Sequence, residues 1–341
     1  MKKPAYVSLD LGTSYTLMYI GGQGIVYNEP SIIALRISDQ KIIAVGIEAA
    51  KLIGKSNKNI RVVKPMVDGV ITDIKTTQTQ LEYIVKRLRI EQTIKGCIMV
   101  IAYPSIITSL EKSALEKIAY KLGASFVIMQ EEVKMAALGG GVNISAPSGQ
   151  LVIDSGGGTT DIAVLSSGDV VLSKSIKIAG TVLTKEIQKY VRAQHGMDIG
   201  ETTAENIKIK IGNLVKVGDL DNLYAYGRDL VSGLPRQVLL TPQEIQEVLK
   251  VPVSRIIDLA VQVLESTPPE LAGDIFRNGI TLCGGTSLIK GMAKYVADTI
   301  QLPVKMGDQP LLAVINGTRS FESKAIEIYQ NSSSNTNLYD E

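Results

Sequence analysis

The chain contains the same short unit twice. Tyr6 to Met18 reads YVSLDLGTSYTLM, and Leu151 to Val164 reads LVIDSGGGTTDIAV. In each, an apolar run ends in an aspartate, Asp10 or Asp154, and a turn of glycine and threonine follows. A second apolar run then opens at Thr16 in one copy and Asp161 in the other. Another turn glycine recurs at one offset: Gly24 lies 14 residues beyond Asp10, and Gly168 lies 14 residues beyond Asp154. A single glycine-rich hairpin is more often a plain turn than a ligand site. Two of them 144 residues apart are long-period self-similarity, which decides architecture. They predict two similar domains facing each other, each offering a loop to one phosphate chain. Glycine lets the backbone turn where a side chain would clash, and lets N–H groups come close to an anion. An aspartate ending the strand is well placed to hold a hydrated metal ion beside bound phosphates.

The length of 341 residues suits about two domains of roughly 150 each. With 45% hydrophobic and 21% charged residues the chain is globular with ample core, and a net charge of +2 gives no reason to invoke nucleic acid. Cys97 and Cys283 each sit in an apolar, strand-like run, which predicts buried free thiols in a reducing cytoplasm. With His195 the sole histidine, a zinc site is not expected. Met1-Lys2-Lys3 runs straight into the first strand, with no signal peptide. The longest apolar run, around Ile98 to Ile107, contains Pro104 and Ser105 and is too short to span a membrane.

Three strands are expected over 5–37, helices over 76–88 and Ser109 to Leu122, and a strand from Cys97 to Ala102 between them. Val127 to Met129 reads as a strand running into Glu131 and Glu132, with a helix to about Leu138. Gly139-Gly140-Gly141 and the polar stretch to Gly149 read as a linker, so a domain boundary is placed there. The second domain repeats the scheme, with helices over 184–192 and 203–211 and strands around 222–240. A helix over 241–264 has a Thr241 cap, Pro242 in its first turn and Glu244 three residues after the cap; Pro252 should kink or divide it. Gly284-Gly285-Thr286 precedes a helix expected from Ser287 to about Ile300, and a last helix is expected over 311–325. The Ser/Asn-rich segment from Asn331 to Glu341 reads as a disordered tail.

Several stretches resemble the actin, heat-shock chaperone and sugar-kinase ATPase superfamily, and within it the bacterial actins of the MreB type. They include DLGTSYTL at 10–17, GIVYNEPSIIA at 24–34, VKPMVDGVITD at 63–73, DSGGGTTDIAVLS at 154–166, TTAENIKIKIGN at 202–213, SGLPR at 232–236, TPPEL at 267–271 and LCGGTSLIKG at 282–291. The resemblance covers roughly residues 5–325. It implies the actin-like ATPase fold: two similar lobes built on duplicated ribonuclease H-like βαβ units, with nucleotide in a central cleft. The first lobe would be residues 1–143 plus 306–330, the second 144–305, each with two subdomains. It further implies ATP or ADP with Mg²⁺, slow ATP hydrolysis, and self-assembly into cytoskeletal filaments, as paired protofilaments. The implied role is cell shape, either guiding wall synthesis or forming an internal ribbon for shape or motility. Other MreB paralogues and cell-shape membrane proteins are implied partners.

On this reading Asp10 and Asp154 hold Mg²⁺ through waters. Gly12, Thr13, Ser14 and Tyr15 contact the phosphates from one lobe, and Gly156, Gly157, Gly158, Thr159 and Thr160 from the other. Glu132 and Thr159 carry over as the catalytic pair that positions or deprotonates the attacking water, since phosphoanhydride hydrolysis needs mostly positioning and charge stabilisation. The alternative for Glu132, and the preferred reading of Glu131, is a charge favourable at a helix N-terminus. Glu205 and Lys208, three apart on one helix face, are a surface ion pair by default. In a context similar to the family's adenosine-pocket helix they contact ribose and base. Gly284, Gly285 and Thr286 should turn helix N–H groups toward the nucleotide. His195, before Gly196, is expected at a helix end with no catalytic part.

The chain departs from the family pattern at Tyr15, Val133, Lys134, Asp161 and Thr286, usually Asn, Pro, Met, Glu and Gly, and at Thr181 and Thr184, usually acidic. These departures leave binding intact and bear on the hydrolysis rate, Lys134 through its nearness to Glu132. A soluble sugar or acetate kinase would need an acceptor pocket with its own base, and no residue set provides one. A chaperone would need a peptide-binding module beyond the ATPase lobes. A nucleotide-binding scaffold with negligible turnover stays open. Location is expected in the cytoplasm, peripheral on the inner face of the membrane. The loop Arg89 to Lys95 offers only Ile90 and Ile94 to a bilayer, so contact should be weak and charge-dependent.

Overall fold

Each of the two aspartate-bearing strands lies at the centre of a five-stranded sheet. In the first sheet the order is Phe126–Glu131, Ile98–Tyr103, Tyr6–Leu11, Tyr15–Ile20, Gly24–Pro30, the first three parallel and the rest antiparallel. The second repeats it with Val304–Met306, Ile280–Cys283, Gln150–Ser155, Thr160–Ser166, Asp169–Ile176. Register repeats too: Asp10 pairs with Leu17 and Asp154 with Asp161, each seven residues on. The matched turn glycines share one left-handed conformation, φ +89° at Gly24 and +87° at Gly168. The protein is described by a computed structural model over residues 4–216 and 220–336, with side chains through 332. It divides into two units: the residues up to Asn143 together with those from Leu311 onward, and Ile144–Pro310.

Strand alternation sends neighbouring side chains to opposite faces. In the first unit Val7, Leu9, Met99 and Ile101 pack on Leu81, Ile84 and Val85 of helix Ile74–Leu88 and on Leu115 and Ile118 of helix Ser109–Leu122. Tyr6, Leu17, Ile98 and Val100 face the other way, against Ile315 and Ala325 of helices Ala313–Ser320 and Glu322–Thr336. In the second unit Leu151, Ile153, Ile162 and Val164 pack on helices Gly180–His195, Glu201–Ile211 and Pro242–Glu265. The last of these opens with the expected reciprocal cap between Thr241 and Glu244.

Several expectations change. Pro252 does not divide its helix: Leu249, Val253, Ile256 and Ile257 continue one buried face past it, and that packing outweighs the lost backbone bond. Gly139 is no linker residue. It ends helix Glu132–Gly139, where a Cβ would lie 1.8 Å from the Ala313 carbonyl, while one on Gly317 would lie 1.8 Å from that of Met135. Two helices therefore touch backbone to backbone at reciprocal glycines. The second unit keeps residues 306–310, because Val304–Met306 pairs with Ile280–Cys283 and Gly284 N–H donates to Pro310 O at 3.0 Å. The single last helix is two, and the second runs through Asn331 to Thr336, where a disordered tail was expected; residues 337–341 lie outside the described residues. Among the described residues no helix is long and apolar enough to cross a membrane.

Candidate functional site

In the first unit Asp10 is in register with Ala102, and Ala102 with Gln130, so the three lie on one line across the sheet. At the usual strand spacing, Gln130 is about 10 Å from Asp10. Just past it the strand ends at Glu131 and the helix begins at Glu132. Both glutamates thus sit on the sheet edge where Asp10 ends its strand. Lys134 stands two positions along the helix, a spacing at which residues do not face each other. Asp10 is buried, and loss of solvation pushes its carboxyl up to about 7.

The turn after Asp10 is closed by Ser31. Its Oγ donates to the Gly12 carbonyl at 2.6 Å, its N–H donates to Ser14 O at 2.9 Å, and Thr16 Oγ1 lies 2.9 Å from its hydroxyl. Thr13 Oγ1 accepts from Gly69 N–H at 3.0 Å, which leaves its own proton to donate. Ser14 and Tyr15 are exposed.

In the second unit Asp154 is buried and in register with Cys283. The Cys283 thiol is pushed far up, by burial first and then by the charges of Asp154 and Asp308. Burial also pushes Cys97, up to about 12, so both thiols are inert. Gly284 has φ +81°, and a Cβ there would lie 2.2 Å from Ser155 O and 2.7 Å from Asp154 Oδ1; only glycine lets this segment pass so close. Gly156, Gly157 and Gly158 do not occupy the left-handed region, and a Cβ on Gly156 would meet nothing nearer than 3.6 Å. Space around the chain therefore does not by itself demand glycine at 156. Thr159 and Thr160 are buried, and Thr160 Oγ1 donates to Ile178 O at 2.7 Å.

Around this turn a hydrogen-bonded network converges. The Gly156 carbonyl accepts from Thr286 Oγ1 at 2.7 Å and Gly180 N–H at 3.2 Å, and the Gly157 carbonyl from Thr181 N–H at 2.8 Å. Lys208 donates to Gly180 O at 2.9 Å, Thr184 Oγ1 at 3.1 Å and Glu205 Oε2 at 2.8 Å. Lys208 is therefore no surface lysine: it is buried, and all three of its protons have acceptors. It holds the start of helix Gly180–His195, which holds the glycine turn. Glu205 stays 44% exposed at its side chain, so it is the member of the pair that can reach a ribose. The segment after Gly284 is also corrected. Gly285–Leu288 is a single 3₁₀ turn, and the α-helix starts only at Met292 after Gly291 at φ +78°. Thr286 spends its proton on Gly156. A hollow of about 590 Å³ between helix Glu201–Ile211 and strand Leu223–Asp229 is lined by Thr202, Thr203, Asn206 and Lys210, on a different face of that helix from Glu205 and Lys208.

Ser31, Gly180 and Thr184 were not singled out as site residues by the sequence. Thr184 had shown only as a departure from an acidic family position, and it now explains itself: its neutral hydroxyl leaves Glu205 the carboxylate paired with Lys208. His195 ends its helix with its ring on Tyr190 and Nε2 3.3 Å from Glu244, away from the glycine turn. The segment from Arg89 to Lys95, expected as a loop, holds a short helix over Glu91–Ile94, and Ile90 and Ile94 are 9% and 0% exposed, so it presents no aliphatic anchor to a bilayer. No group of three or more Asp, Glu, His or Cys is arranged for a metal among the described residues. Mg²⁺ keeps several waters and takes one or two carboxylates together with phosphate oxygens, and the carboxylates that fit this here are the buried Asp10 and Asp154, each beside its turn.

The MreB/Mbl protein family matches residues 4–330. The cell shape-determining protein Mbl of Bacillus subtilis (strain 168) is 41% identical over 312 residues, covering 92% of this chain and 94% of the relative. MreB of Escherichia coli (strain K12) is 37% identical over 316 residues, covering 91% of each. The crystal structure of MreB5 of Spiroplasma citri bound to AMPPNP matches with a TM-score of 0.94 at 47% identity, covering 97% of this chain and 100% of that one. The same protein bound to ADP gives 0.93. A family match over nearly the whole length, on two sheets of one repeated topology, makes this chain a member of the MreB/Mbl family with the actin-like ATPase fold.

Proposed function

We propose that this chain is a cytoskeletal ATPase that binds ATP with Mg²⁺, hydrolyses it slowly and polymerises with copies of itself. The observation that carries the reading is the repeated turn: a buried aspartate at a strand end, then a glycine whose carbonyl is tied back by a buried hydroxyl, in both units. The Spiroplasma citri relative binds AMPPNP and ADP, and the B. subtilis and E. coli relatives carry names for determining cell shape. Gly12 to Tyr15 and Gly156 to Thr160 are the phosphate-facing turns, and Glu205 takes the ribose. Glu132 and Thr159 orient the attacking water, and Asp10 and Asp154 keep the waters of the metal in place. Bound Mg²⁺ supplies charge neutralisation at the phosphates.

Head-to-tail contacts between identical subunits are heterologous and extend into filaments when they do not close. The test is sedimentation and negative-stain microscopy over a concentration series, with and without ATP and Mg²⁺. Filaments should appear above a threshold concentration, and Asp154→Ala should raise that threshold. A protein that stays monomeric at high concentration with ATP and Mg²⁺ refutes the filament reading.

A further inference from the structure

The two turns share a device that neither sequence copy displays. Ser31 Oγ donates to the carbonyl of Gly12, and Thr286 Oγ1 to the carbonyl of Gly156. Gly12 and Gly156 each stand two residues beyond their aspartate. Ser31 and Thr286 are both buried, at 0% and 3% exposure, so their protons do not go to bulk water. The donors have unrelated origins, one 19 residues downstream of its glycine and the other 130. The same contact is reached from different elements, at a position where MreB-type proteins usually carry glycine in the case of Thr286.

We propose that Ser31 and Thr286 are positioning residues that lock these two carbonyls and so aim the next backbone N–H at the nucleotide's phosphates. The reasoning rests on the nucleotide reading above and on peptide geometry. No cis peptide occurs among the described residues, and a planar trans peptide points its N–H opposite to its C=O. Holding Gly12 O therefore fixes the direction of Thr13 N–H, and holding Gly156 O fixes that of Gly157 N–H. Thr181 N–H, by holding Gly157 O at 2.8 Å, does the same for Gly158 N–H. The Gly156 carbonyl keeps a second, longer bond from Gly180 N–H at 3.2 Å, but the Gly156–Gly157 peptide has no Cβ on either side, so its orientation depends on such bonds more than that of any other kind. Donors fixed in advance do not need to reorganise when the phosphate charge arrives.

The test compares wild type, Thr286→Val, Thr286→Ser and Ser31→Ala by calorimetric titration with ADP and Mg²⁺, and separately with adenosine, with a thermal melt of each free protein. Loss of one such bond should weaken ADP about three- to tenfold in Thr286→Val and Ser31→Ala, while Thr286→Ser stays within about twofold of wild type. Adenosine, which has no phosphate, should bind all four alike. Unchanged ADP affinity in the Val and Ala variants overturns the assignment, and so does an equal loss for ADP and adenosine, which marks a general structural role. If Thr286→Val does not fold, Thr286→Gly removes the same hydroxyl and its contrast with Thr286→Ser gives the same readout. A wild-type protein that binds no ADP removes the nucleotide reading itself, an outcome distinct from variants that match a binding wild type.

Discussion

Lys208 has three protons and three protein acceptors, so its side chain supports the glycine turn through Gly180 and has nothing left to give a ligand. Glu132 is a first-turn residue on the sheet edge shared with Asp10. On the proposed role of orienting the attacking water, Glu132→Ala should lower phosphate release by about 10²–10⁴ with little change in ADP affinity. A phosphate-release assay giving the same turnover for mutant and wild type sinks the assignment. Asp10 and Asp154 were legible in sequence because an apolar run, an acid and a glycine keep their spacing wherever the strand lies. Ser31 and Thr184 were not. A hydroxyl acts through whatever carbonyl or ammonium the fold brings to it, and Thr184 and Lys208 are 24 residues apart with no periodicity to mark the pair.

Among the elements, the crossing of helices Glu132–Gly139 and Ala313–Ser320 is the tightest, set by Gly139 and Gly317. Gly317→Ala would force a methyl into the Met135 carbonyl and should destabilise the protein by about 1–3 kcal/mol or more in urea unfolding. Gly273, on helix Pro269–Asn278, has nothing within 4 Å of its missing Cβ, so Gly273→Ala should stabilise by about 0.5–1 kcal/mol in the same experiment. Equal effects would show that space around the glycine does not decide the sign. The Thr241 cap was readable from Thr, Pro and Glu at fixed offsets; the identical reciprocal cap of Thr108 and Glu111 obeys the same rule. Gly139 was misread because a run of three glycines looks like a linker unless the partner helix, some 175 residues on, is known.

At the scale of the whole molecule, the repeat was the readable part: matched offsets gave two units of one topology before any strand was placed. Where the chain re-enters the first unit was less readable, because a short edge strand decides it. That re-entry has a consequence in time. Ile144–Pro310 is one continuous stretch and can close its core as soon as it leaves the ribosome. The first unit cannot. Leu17, Tyr19, Ile98, Val100 and Ile128 are covered by Ile315, Ala325 and their neighbours, which are translated only after the whole of Ile144–Pro310. At ordinary elongation speeds the intervening residues take roughly ten to thirty seconds, during which one face of the first sheet stays bare. Nascent chains arrested after residue 310 should be cut readily before residue 143 and resist protease beyond it; equal resistance in both parts would contradict this order. The first half of the protein to be made is then the last to be finished, and its newborn form is a client for whatever shields apolar surface in the cell.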